Sequence, residues 1–585
     1  MKNTLKTLFI TTALLSLTGC FDSDNPKQEA KKEQKYLEFF DARKARPLNV
    51  KTASGSYMIA QHAQYVNDWE SASIHINKFI GENPSMSRDY RGLLEKRAMV
   101  LNLGAGKIDD AHYYAKNLSK EEQNPLSVLV STLPHIRKHD FKKAQEIIES
   151  MSSGGMADLI KPIIKNWMVF GQEKNPKIVK KLSGQELYHL ILGADYSGDK
   201  DYLKKVIDVK LMRTGLNAQS LIDIADIMVR NGYSGRALSL YQDVQSKKPD
   251  HKELNAKISL LEDGNDIPQN DLFKKIKNPE KGSAMAILDV GMLLFREQSL
   301  DSARIFAHLA LNLDPELEDA NLLLAYVAAQ YEQYDEAIAF FETITENDFE
   351  RFVQAQMQVS ELQEYAGRSE DALKTLEKVS RLEDSIELQM QIGDLARSHD
   401  DYKRALKAYN AAFDMIGDDT PKEYWGLYYS RGIIYERLND WDKAEQDLQQ
   451  ALTFEPNHPY VLNYLGYSWA DQGKNLDDAL SMISKAVSLR PDDGYIVDSL
   501  GWVYFKLGEY NRAVDPLENA VELLPEDPTV NDHLGDAYWK VGRKHEARFQ
   551  WSRALSFAEN APESLTDTEA QDLLGQLEKK LKAGL

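Results

Sequence analysis

The side chains that could carry out chemistry in this chain are scattered rather than grouped. Twelve histidines occur in 585 residues, and none pairs with another at metal-binding spacing. The sequence has no His-Glu-x-x-His motif, no glycine-rich phosphate loop, no Gly-x-Ser-x-Gly and no paired cysteines. A Ser-x-x-Lys pattern begins at Ser197, but it lies in a polar stretch between predicted helices and has no companion motif. We therefore expect no enzymatic activity, no metal and no cofactor.

One residue, Cys20, does stand in a pattern with a chemical meaning. It follows a positively charged start with Lys2 and Lys6 and a short apolar run between Leu8 and Leu17. The run is about half of the roughly 20 residues that a membrane-spanning helix needs. The tetrapeptide Leu17-Thr18-Gly19-Cys20 then resembles the lipobox of bacterial lipoproteins, in which small residues precede a cysteine that becomes lipidated.

This resemblance implies that residues 1–19 are a signal peptide and that Cys20 carries lipid on its thiol and its amine. Several acyl chains anchor a protein stably, because each buried CH₂ contributes about 0.8 kcal/mol. Cys20 is the only cysteine, so a lipidated thiol would also leave no oxidisable thiol in an exported protein. In such lipoproteins an Asp directly after the cysteine commonly signals inner-membrane retention. Phe21 stands there instead, which predicts an outer-membrane protein facing the periplasm.

Length and charge narrow the remaining possibilities. A chain of 585 residues is too long for one compact core, so it must form several domains or a repeat array. Its formal net charge is −20, and such an acidic surface should repel phosphate backbones and anionic headgroups. We expect protein or peptide partners, a membrane attachment only through the Cys20 lipid, and no nucleic acid. Residues 20–52 are so polar that we expect a flexible tether.

The elements that must position any binding residues are internal repeats. In the C-terminal third, Gly432, Gly466, Gly501 and Gly535 recur at steps of 34, 35 and 34 residues, and two series of alanines keep the same phase. This pattern resembles the tetratricopeptide repeat, a helix–turn–helix unit of 34 residues. The resemblance implies an all-α fold, a superhelical solenoid of stacked antiparallel helix hairpins. One hairpin cannot bury its own apolar face, so each unit must pack on its neighbours.

The repeat landmarks divide the chain into successive regions. We predict a degenerate array over 53–249, a linker over 250–283, a regular array over 284–561 and a capping helix over 562–585. Between 150 and 217 the landmarks fade, and the sequence does not fix repeat boundaries there. The clear units of the regular array are 284–317, 318–351, 386–419, 425–458, 459–493, 494–527 and 528–561.

The resemblance also implies which residues bind. In tetratricopeptide arrays the first helix of each hairpin lines a concave groove, and positions 2, 5, 9, 12 and 13 of the unit are among those facing it. Aromatic side chains at such positions suit peptide binding, because they offer large contact area at low rotamer entropy. The alternative is that many of them pack against neighbouring helices. We call the following predicted set the groove face: Tyr429, Tyr460, Asn463, Tyr467, Tyr495, Asp498, Trp502, Phe505, Lys506, Asp532, Asp536, Trp539 and Lys540.

The layout of signal, lipid cysteine and solenoid resembles outer-membrane lipoproteins that act as adaptors for periplasmic carboxy-terminal processing proteases. That resemblance implies a non-catalytic scaffold that binds the protease and its substrates. The alternative is an assembly or secretion lipoprotein that serves outer-membrane protein insertion, pilus biogenesis or polysaccharide export. The groove face lacks the ordered lysines and asparagines of carboxylate-clamp domains, so recognition of chaperone C-termini is not supported.

Overall fold

The computed structural model describes residues 53–179, 182–208, 216–249, 251–346, 349–382, 384–417, 420–559 and 567–583. Cys20, the predicted signal peptide and the predicted tether lie outside these residues. Every regular element within the described ranges is helical, which confirms the predicted all-α fold. No helix among the described residues is long and apolar enough to cross a membrane.

The chain divides into two compact units. Among the described residues, unit 1 contains those up to Val290 together with His308–Pro315, and unit 2 contains Gly291–Ala307 and those from Glu316 onward. The division therefore passes through helices α13 (Pro279–Arg296) and α14 (Leu300–Leu313).

The described residues of unit 1 lie mainly in twelve helices. The pairs α1/α2, α3/α4, α5/α6, α8/α9 and α10/α11 are antiparallel neighbours in sequence that pack on each other. Three of the helices, α7, α8 and α9, occupy the region between 150 and 217, where the landmarks did not fix repeat boundaries. The helices are α1 (Ala53–Tyr65), α2 (Trp69–Glu82), α3 (Arg88–Gly104), α4 (Ile108–Asn117), α5 (Pro125–Arg137), α6 (Phe141–Glu149), α7 (Met156–Gly171), α8 (Gly184–Ser197), α9 (Lys200–Ile207), α10 (Ala218–Arg230), α11 (Ser234–Gln245) and α12 (Lys252–Glu262).

Unit 2 is the regular part of the array. From α15 onward, each odd-numbered helix pairs with the next helix into a hairpin, and the second helix of each hairpin packs on the first helix of the next. The helices are α15 (Glu318–Gln330), α16 (Tyr334–Phe341), α17 (Phe349–Tyr365), α18 (Ser369–Ser380), α19 (Ile386–Ser398), α20 (Tyr402–Ile416), α21 (Trp425–Arg437), α22 (Trp441–Phe454), α23 (Pro459–Asp471), α24 (Leu476–Leu489), α25 (Gly494–Lys506), α26 (Tyr510–Leu523), α27 (Pro528–Lys540), α28 (Lys544–Glu559) and α29 (Asp567–Ala583).

The repeated glycines mark where the two helices of a hairpin cross most closely. A Cβ added at Gly501 would lie 2.3 Å from Cγ of Leu517 on the opposite helix. Gly432 and Gly535 have the same relation to Leu448 and Trp551. The alanines of the repeat are wholly buried beside these crossings. Larger side chains would force the helices apart, which is why small residues recur at these positions.

The turn inside each hairpin has a fixed conformation. Position 15 of the unit, directly after or near the end of the first helix, has a positive φ in every clear repeat. Glycine adopts this left-handed conformation without a steric penalty, as Gly508 does at φ 80°. The other residues at this position are Gln298, Glu332, Asp400, Asn439, Gly473 and Gly542.

The described part of the segment predicted as a linker, 251–283, contains helix α12 and belongs to unit 1. Both backbone groups of Phe273 are held by α10. Its N–H donates to Oδ2 of Asp226 at 2.7 Å, and its carbonyl oxygen accepts from Nη1 of Arg230 at 2.6 Å. Leu272 beside it is only 3% exposed. Between α12 and α13 the turn-rich composition therefore describes a segment with little regular structure, which is docked by hydrogen bonds and apolar contacts.

The docking of this segment depends on a buried ionic network. Asp226, on α10, is 2% exposed and lies 3.0 Å from Nζ of Lys257 on α12, which is 4% exposed. Asp226 also accepts a hydrogen bond from the hydroxyl of Tyr241. On the same helix Asp223 accepts from Tyr188 at 2.7 Å. Burial raises the pKa of Asp223 to about 7.

Candidate functional site

The residues of the groove face lie on α21, α23, α25 and α27, the first helices of four consecutive hairpins. Their exposure differs widely. Tyr495 and Tyr460 are exposed, at 49% and 37%, whereas Asp498 and Asp532 are buried, at 5% and 6%. Lys540 is exposed, and the remaining members are half-buried. On the predicted groove face, the Asp498 and Asp532 carboxylates are therefore less exposed to solvent than the aromatic rings around them.

Neighbouring hairpins contact each other through positions 5 and 6 of their units. The rings of Tyr429 and Tyr464 meet edge to face with centroids 6.0 Å apart. Two repeats further along the chain, at the same two positions, Oδ2 of Asp498 lies 2.8 Å from Nδ1 of His533. Burial alone would lower the pKa of His533, but the Asp498 carboxylate outweighs it and the pKa is raised. This contact therefore favours the charged imidazolium between α25 and α27.

The centre of the groove face is a stack of rings. The indole of Trp502 lies between His533, at a centroid distance of 3.9 Å, and Phe505, at 4.9 Å, and the planes are within 12° of parallel. Nζ of Lys506 lies 5.0 Å from the Trp502 ring and 3.1 Å from Oδ1 of Asp471 on the preceding hairpin. Stacking and cation–π contacts fix the ring orientation, and Nε1 of Trp502 donates to Oδ1 of Asp471 at 3.4 Å.

On the last hairpin, the two carboxylates of the groove face, Asp532 and Asp536, contact helix α29. Nζ of Lys580 lies 2.7 and 2.8 Å from the two oxygens of Asp532 and 2.8 Å from Oδ1 of Asp536. Burial and the Asp536 carboxylate raise the pKa of Asp532, against the opposing effect of Lys580. Asp536 also accepts from Nε1 of Trp551 at 3.0 Å. Leu577 of α29 is wholly buried against the same hairpin.

The more exposed residues of the groove face also contact neighbouring side chains. The hydroxyl of Tyr460 accepts from Nη2 of Arg490 at 2.9 Å, and the hydroxyl of Tyr495 donates to Asp527 at 3.2 Å. Two further contacts involve cations over rings. Lys544 lies 4.7 Å from the ring of Trp539, and Lys540 lies 5.7 Å from that of Tyr510.

Three of the side chains that shape this surface were outside the predicted set. His533 stands at position 6, a position that the repeat register assigns to the border of the groove. Asp471 stands at position 13 of its unit and could have been found by applying the register to every unit. Lys580 lies beyond the last repeat, where the register gives no guidance. Among the described residues, no group of three or more His, Cys, Asp or Glu could hold a metal ion.

Comparison with known families agrees with the repeat geometry. Residues 426–458 match the family described as "Tetratricopeptide repeat", and residues 501–542 match "TPR repeat". The chain therefore carries tetratricopeptide repeats, a type of unit that generally binds proteins or peptides. The two matches fall on hairpins that carry the groove face.

Curated relatives match over limited stretches. A TPR repeat-containing protein of Pseudomonas aeruginosa is 29% identical over 180 residues, which cover 30% of this chain and 30% of the relative. The lipoprotein NlpI homolog of Haemophilus influenzae is 32% identical over 102 residues, which cover 17% of this chain and 31% of the relative. The chain thus spans no more than about a third of the length of these relatives.

Solved structures similar to this chain include repeat proteins of low sequence identity. A tetratricopeptide repeat protein from Parabacteroides merdae covers 50% of this chain at 16% identity, with a TM-score of 0.34. The APC/C hetero-tetramer Cut9-Hcn1 covers 90% of it at 12% identity, with a TM-score of 0.35. At these TM-scores the likeness adds no argument about partners.

Proposed function

We propose that this protein is a non-catalytic scaffold, anchored at the bacterial envelope by lipid on Cys20, that binds partner proteins at the groove face. The observation that carries the proposal is the row of half-buried aromatic and polar side chains on four consecutive first helices. Such surfaces combine apolar contact area with a few oriented polar groups, which is the composition of binding hot spots.

The envelope location draws support from the sequence and from one relative. The lipobox at Cys20 predicts lipidation, and the similar Haemophilus influenzae protein is itself named a lipoprotein. We place the protein at the outer membrane, facing the periplasm, because Phe21 follows the cysteine. We further propose a periplasmic processing protease and its substrates as partners, in line with the adaptor resemblance.

The binding proposal is tested by crosslinking in cells, purification of the full chain in detergent and mass spectrometry. Trp502→Ala removes the central ring of the groove face. Phe549→Ala is the matched control, because Phe549 lies on the second helix α28 and is 62% exposed. We expect one or more envelope proteins with the wild type and the control, and roughly tenfold less with Trp502→Ala, the loss typical of a hot-spot aromatic. Recovery of no envelope protein, or equal recovery with both variants, would contradict the proposal.

The anchor is tested separately by metabolic labelling with a radioactive fatty acid. We expect label in the wild type and none in Cys20→Ala, because the cysteine is the only residue that the lipobox can direct to acylation. When the same cells are fractionated, we expect the wild type with the membranes and the variant in the soluble fraction. Equal labelling of the two proteins would refute the lipoprotein assignment without affecting the binding proposal.

A further inference from the structure

A buried histidine in unit 1 joins three helices. His189, on α8, has a fully buried side chain. Its Nδ1 lies 3.1 Å from Nε1 of Trp167 on α7, and its Nε2 lies 2.9 Å from Oδ2 of Asp289 on α13. We call these three side chains the His189 junction. The junction connects the first half of α13 to helices that lie about a hundred residues earlier in the chain.

The contact with Trp167 determines which ring nitrogen of His189 carries the proton. An indole N–H can only donate, so Nδ1 must be the acceptor and cannot itself carry hydrogen. Nε2 then carries the ring proton and donates it to the Asp289 carboxylate. A neutral imidazole therefore satisfies both of its partners, and the junction is complete only while His189 is uncharged.

A second proton on the ring would break one of the two contacts. It would have to bind Nδ1, where it would face the N–H of Trp167, and two donors cannot bond to each other. Because both side chains are buried, solvent cannot satisfy the displaced donor where it stands. The Asp289 carboxylate stabilises an imidazolium through Nε2. Protonation thus keeps the contact with α13 at Asp289 and removes the contact with α7.

The Trp167 ring also supports the start of α13. A Cβ added at Gly282 would lie 2.5 Å from three atoms of the ring, so the helix backbone rests directly on the indole. Between Pro279 and Val290 no residue of α13 is exposed. A movement that turns the indole N–H away from His189 therefore shifts the surface on which the first turns of α13 rest.

The nearest other carboxyl groups come from α10. Tyr188 of α8 donates to Asp223 at 2.7 Å. The charges of Asp226 and Asp289 act on the same carboxyl, and Lys257 lies 3.0 Å from Asp226. Burial raises the pKa of Asp223 to about 7, so Asp223 takes up a proton as the pH falls through neutrality. That proton reduces the repulsion on Asp289 and stabilises α13 in its place.

One more pair of ionisable groups lies at the start of α13. Nε2 of His139, in the turn between α5 and α6, lies 3.8 Å from Oε2 of Glu280. Protonation of His139 strengthens this contact, whereas protonation of Glu280 removes it. Burial raises the pKa of Glu280, against the opposing effect of His139 and Arg137. The two groups act in opposite directions as the pH falls, so Glu280 needs its own control.

We propose that the His189 junction is an acid-sensitive switch, in which protonation of His189 breaks its hydrogen bond with Trp167 and displaces the first turns of α13. Asp289 stays bound to the imidazolium, so the helix tilts about that point and remains part of unit 1. The switch is closed at neutral pH and opens as the pH falls. It is independent of the scaffold proposal, because the groove face lies in unit 2 and the junction lies in unit 1.

Hydrogen exchange of the full chain in detergent, followed by mass spectrometry, tests the switch at pH 8 and pH 5. Histidine is the side chain that ordinarily changes charge in this range. Protection is compared after correction for the intrinsic effect of pH on exchange. We expect residues 282–286 to lose about tenfold in protection at pH 5, the effect of one buried hydrogen bond, while residues after Asp289 keep theirs. Equal protection of 282–286 at both pH values would overturn the proposal.

Two glutamine substitutions test whether His189 is the titrating group. His189→Gln keeps a donor for Asp289 and cannot gain a charge, so the protection of 282–286 should no longer depend on pH. His62→Gln makes the same change at an exposed position of α1 and should behave as the wild type does. A pH response that survives in His189→Gln would show that another group titrates, and the proposal would be wrong.

A further set of variants tests the coupling to α13. Trp167→Phe keeps a ring beneath Gly282 but lacks the N–H that opposes the second proton, so its α13 should stay protected at pH 5. Asp223→Asn and Glu280→Gln remove the neighbouring carboxyls and should leave the wild-type response intact. Loss of protection in Trp167→Phe equal to that of the wild type, or loss of the response in either carboxyl variant, would overturn the proposal. Circular dichroism at pH 8 checks that each variant is folded.

Discussion

Both units contain buried carboxylates. The two units differ in the sequence separation between each carboxylate and the groups that bind it. In unit 1, Asp226 is bound by groups 15, 31 and 47 residues away, and His189 pairs with Asp289 across 100 residues. In unit 2, Asp498 and His533 are 35 residues apart, which is one repeat. Where the hairpins are regular, the repeat period sets which side chains meet. Where the hairpins are irregular, as in unit 1, the groups that meet a buried carboxylate are set by how a long segment packs on the helices before it.

This difference has a consequence for stability. An interaction that recurs once per repeat can be lost locally while the neighbouring hairpins keep their own contacts. The network around Asp226 instead holds α10, α12 and the segment at Phe273 together at a single point. Unit 1 should therefore be more sensitive to one well-chosen substitution than unit 2.

Replacing Lys257 should give the largest effect and tests whether unit 1 is more sensitive to a single substitution than unit 2. Lys257→Ala leaves the Asp226 carboxylate buried and without its cation, which typically costs 3–5 kcal/mol, and we expect about that loss in unit 1. Chemical denaturation measures it, and hydrogen exchange should locate it in α10 and α12. Lys252→Ala, on the exposed side of α12, is the control and should change stability by less than about 0.5 kcal/mol. Similar values for the two variants would show that the network does not hold the segment.

A smaller effect is expected in unit 2. Gly501→Ala places a methyl group 2.3 Å from Cγ of Leu517 and 3.2 Å from the Ala513 carbonyl oxygen. Overpacking of this kind costs about 1–3 kcal/mol, and hydrogen exchange should confine the loss to α25, α26 and their neighbours. At Gly426 an added Cβ meets nothing within 4 Å. Gly426→Ala should therefore stabilise by roughly 0.5–1 kcal/mol. Destabilisation that spreads through the whole unit would contradict the local character of the array.

The last test concerns an effect that is absent at low pH and appears only as the pH rises. Burial raises the pKa of Asp223 to about 7, so the folded state holds its proton more tightly than the unfolded state. The associated stability is fully present below about pH 4 and is lost as the pH rises through 7. Asp223→Asn mimics the protonated form. It should stabilise unit 1 by up to about 4 kcal/mol at pH 8, since a difference of one pH unit in the pKa is worth about 1.36 kcal/mol, and leave it unchanged near pH 4.

Thermal denaturation at the two pH values gives the comparison for this variant. Asp266→Asn, at an exposed position of the same unit, serves as the control and should be neutral at both. A gain that is the same at pH 4 and pH 8 would mean that the Asp223 carboxyl does not titrate in this range.

The hairpins of unit 2 could be predicted from the sequence because their landmarks are local and periodic. Gly501 and the buried alanines recur in phase, and the structure places each at a close crossing. The groove face followed from the same register. The hydrogen bonds of its residues did not, since the register cannot say that Oδ2 of Asp498 is bonded to His533 while Oδ1 of Asn463 accepts from no described residue.

Two features had no periodic signal. The polar composition of 250–283, with its Asp-Gly-Asn-Asp and Asn-Pro stretches, favours turns, and it says nothing about the hydrogen bonds that hold Phe273 to α10. Lys580 belongs to a helix whose leucines are patterned, but its ammonium reaches Asp532 48 residues earlier in the chain. In both cases a side chain meets a group outside its own repeat, so the outcome depends on tertiary packing.

The contact of Lys580 with Asp532 and Asp536 has a consequence for self-association. A hairpin array presents at its end the same kind of face with which each unit receives the next, and such a face is a template for other molecules to stack end to end. Another chain arriving there would have to displace an ammonium held by two carboxylates and the buried side chain of Leu577. The ionic contact thus disfavours open-ended polymerisation into fibres at high local concentration.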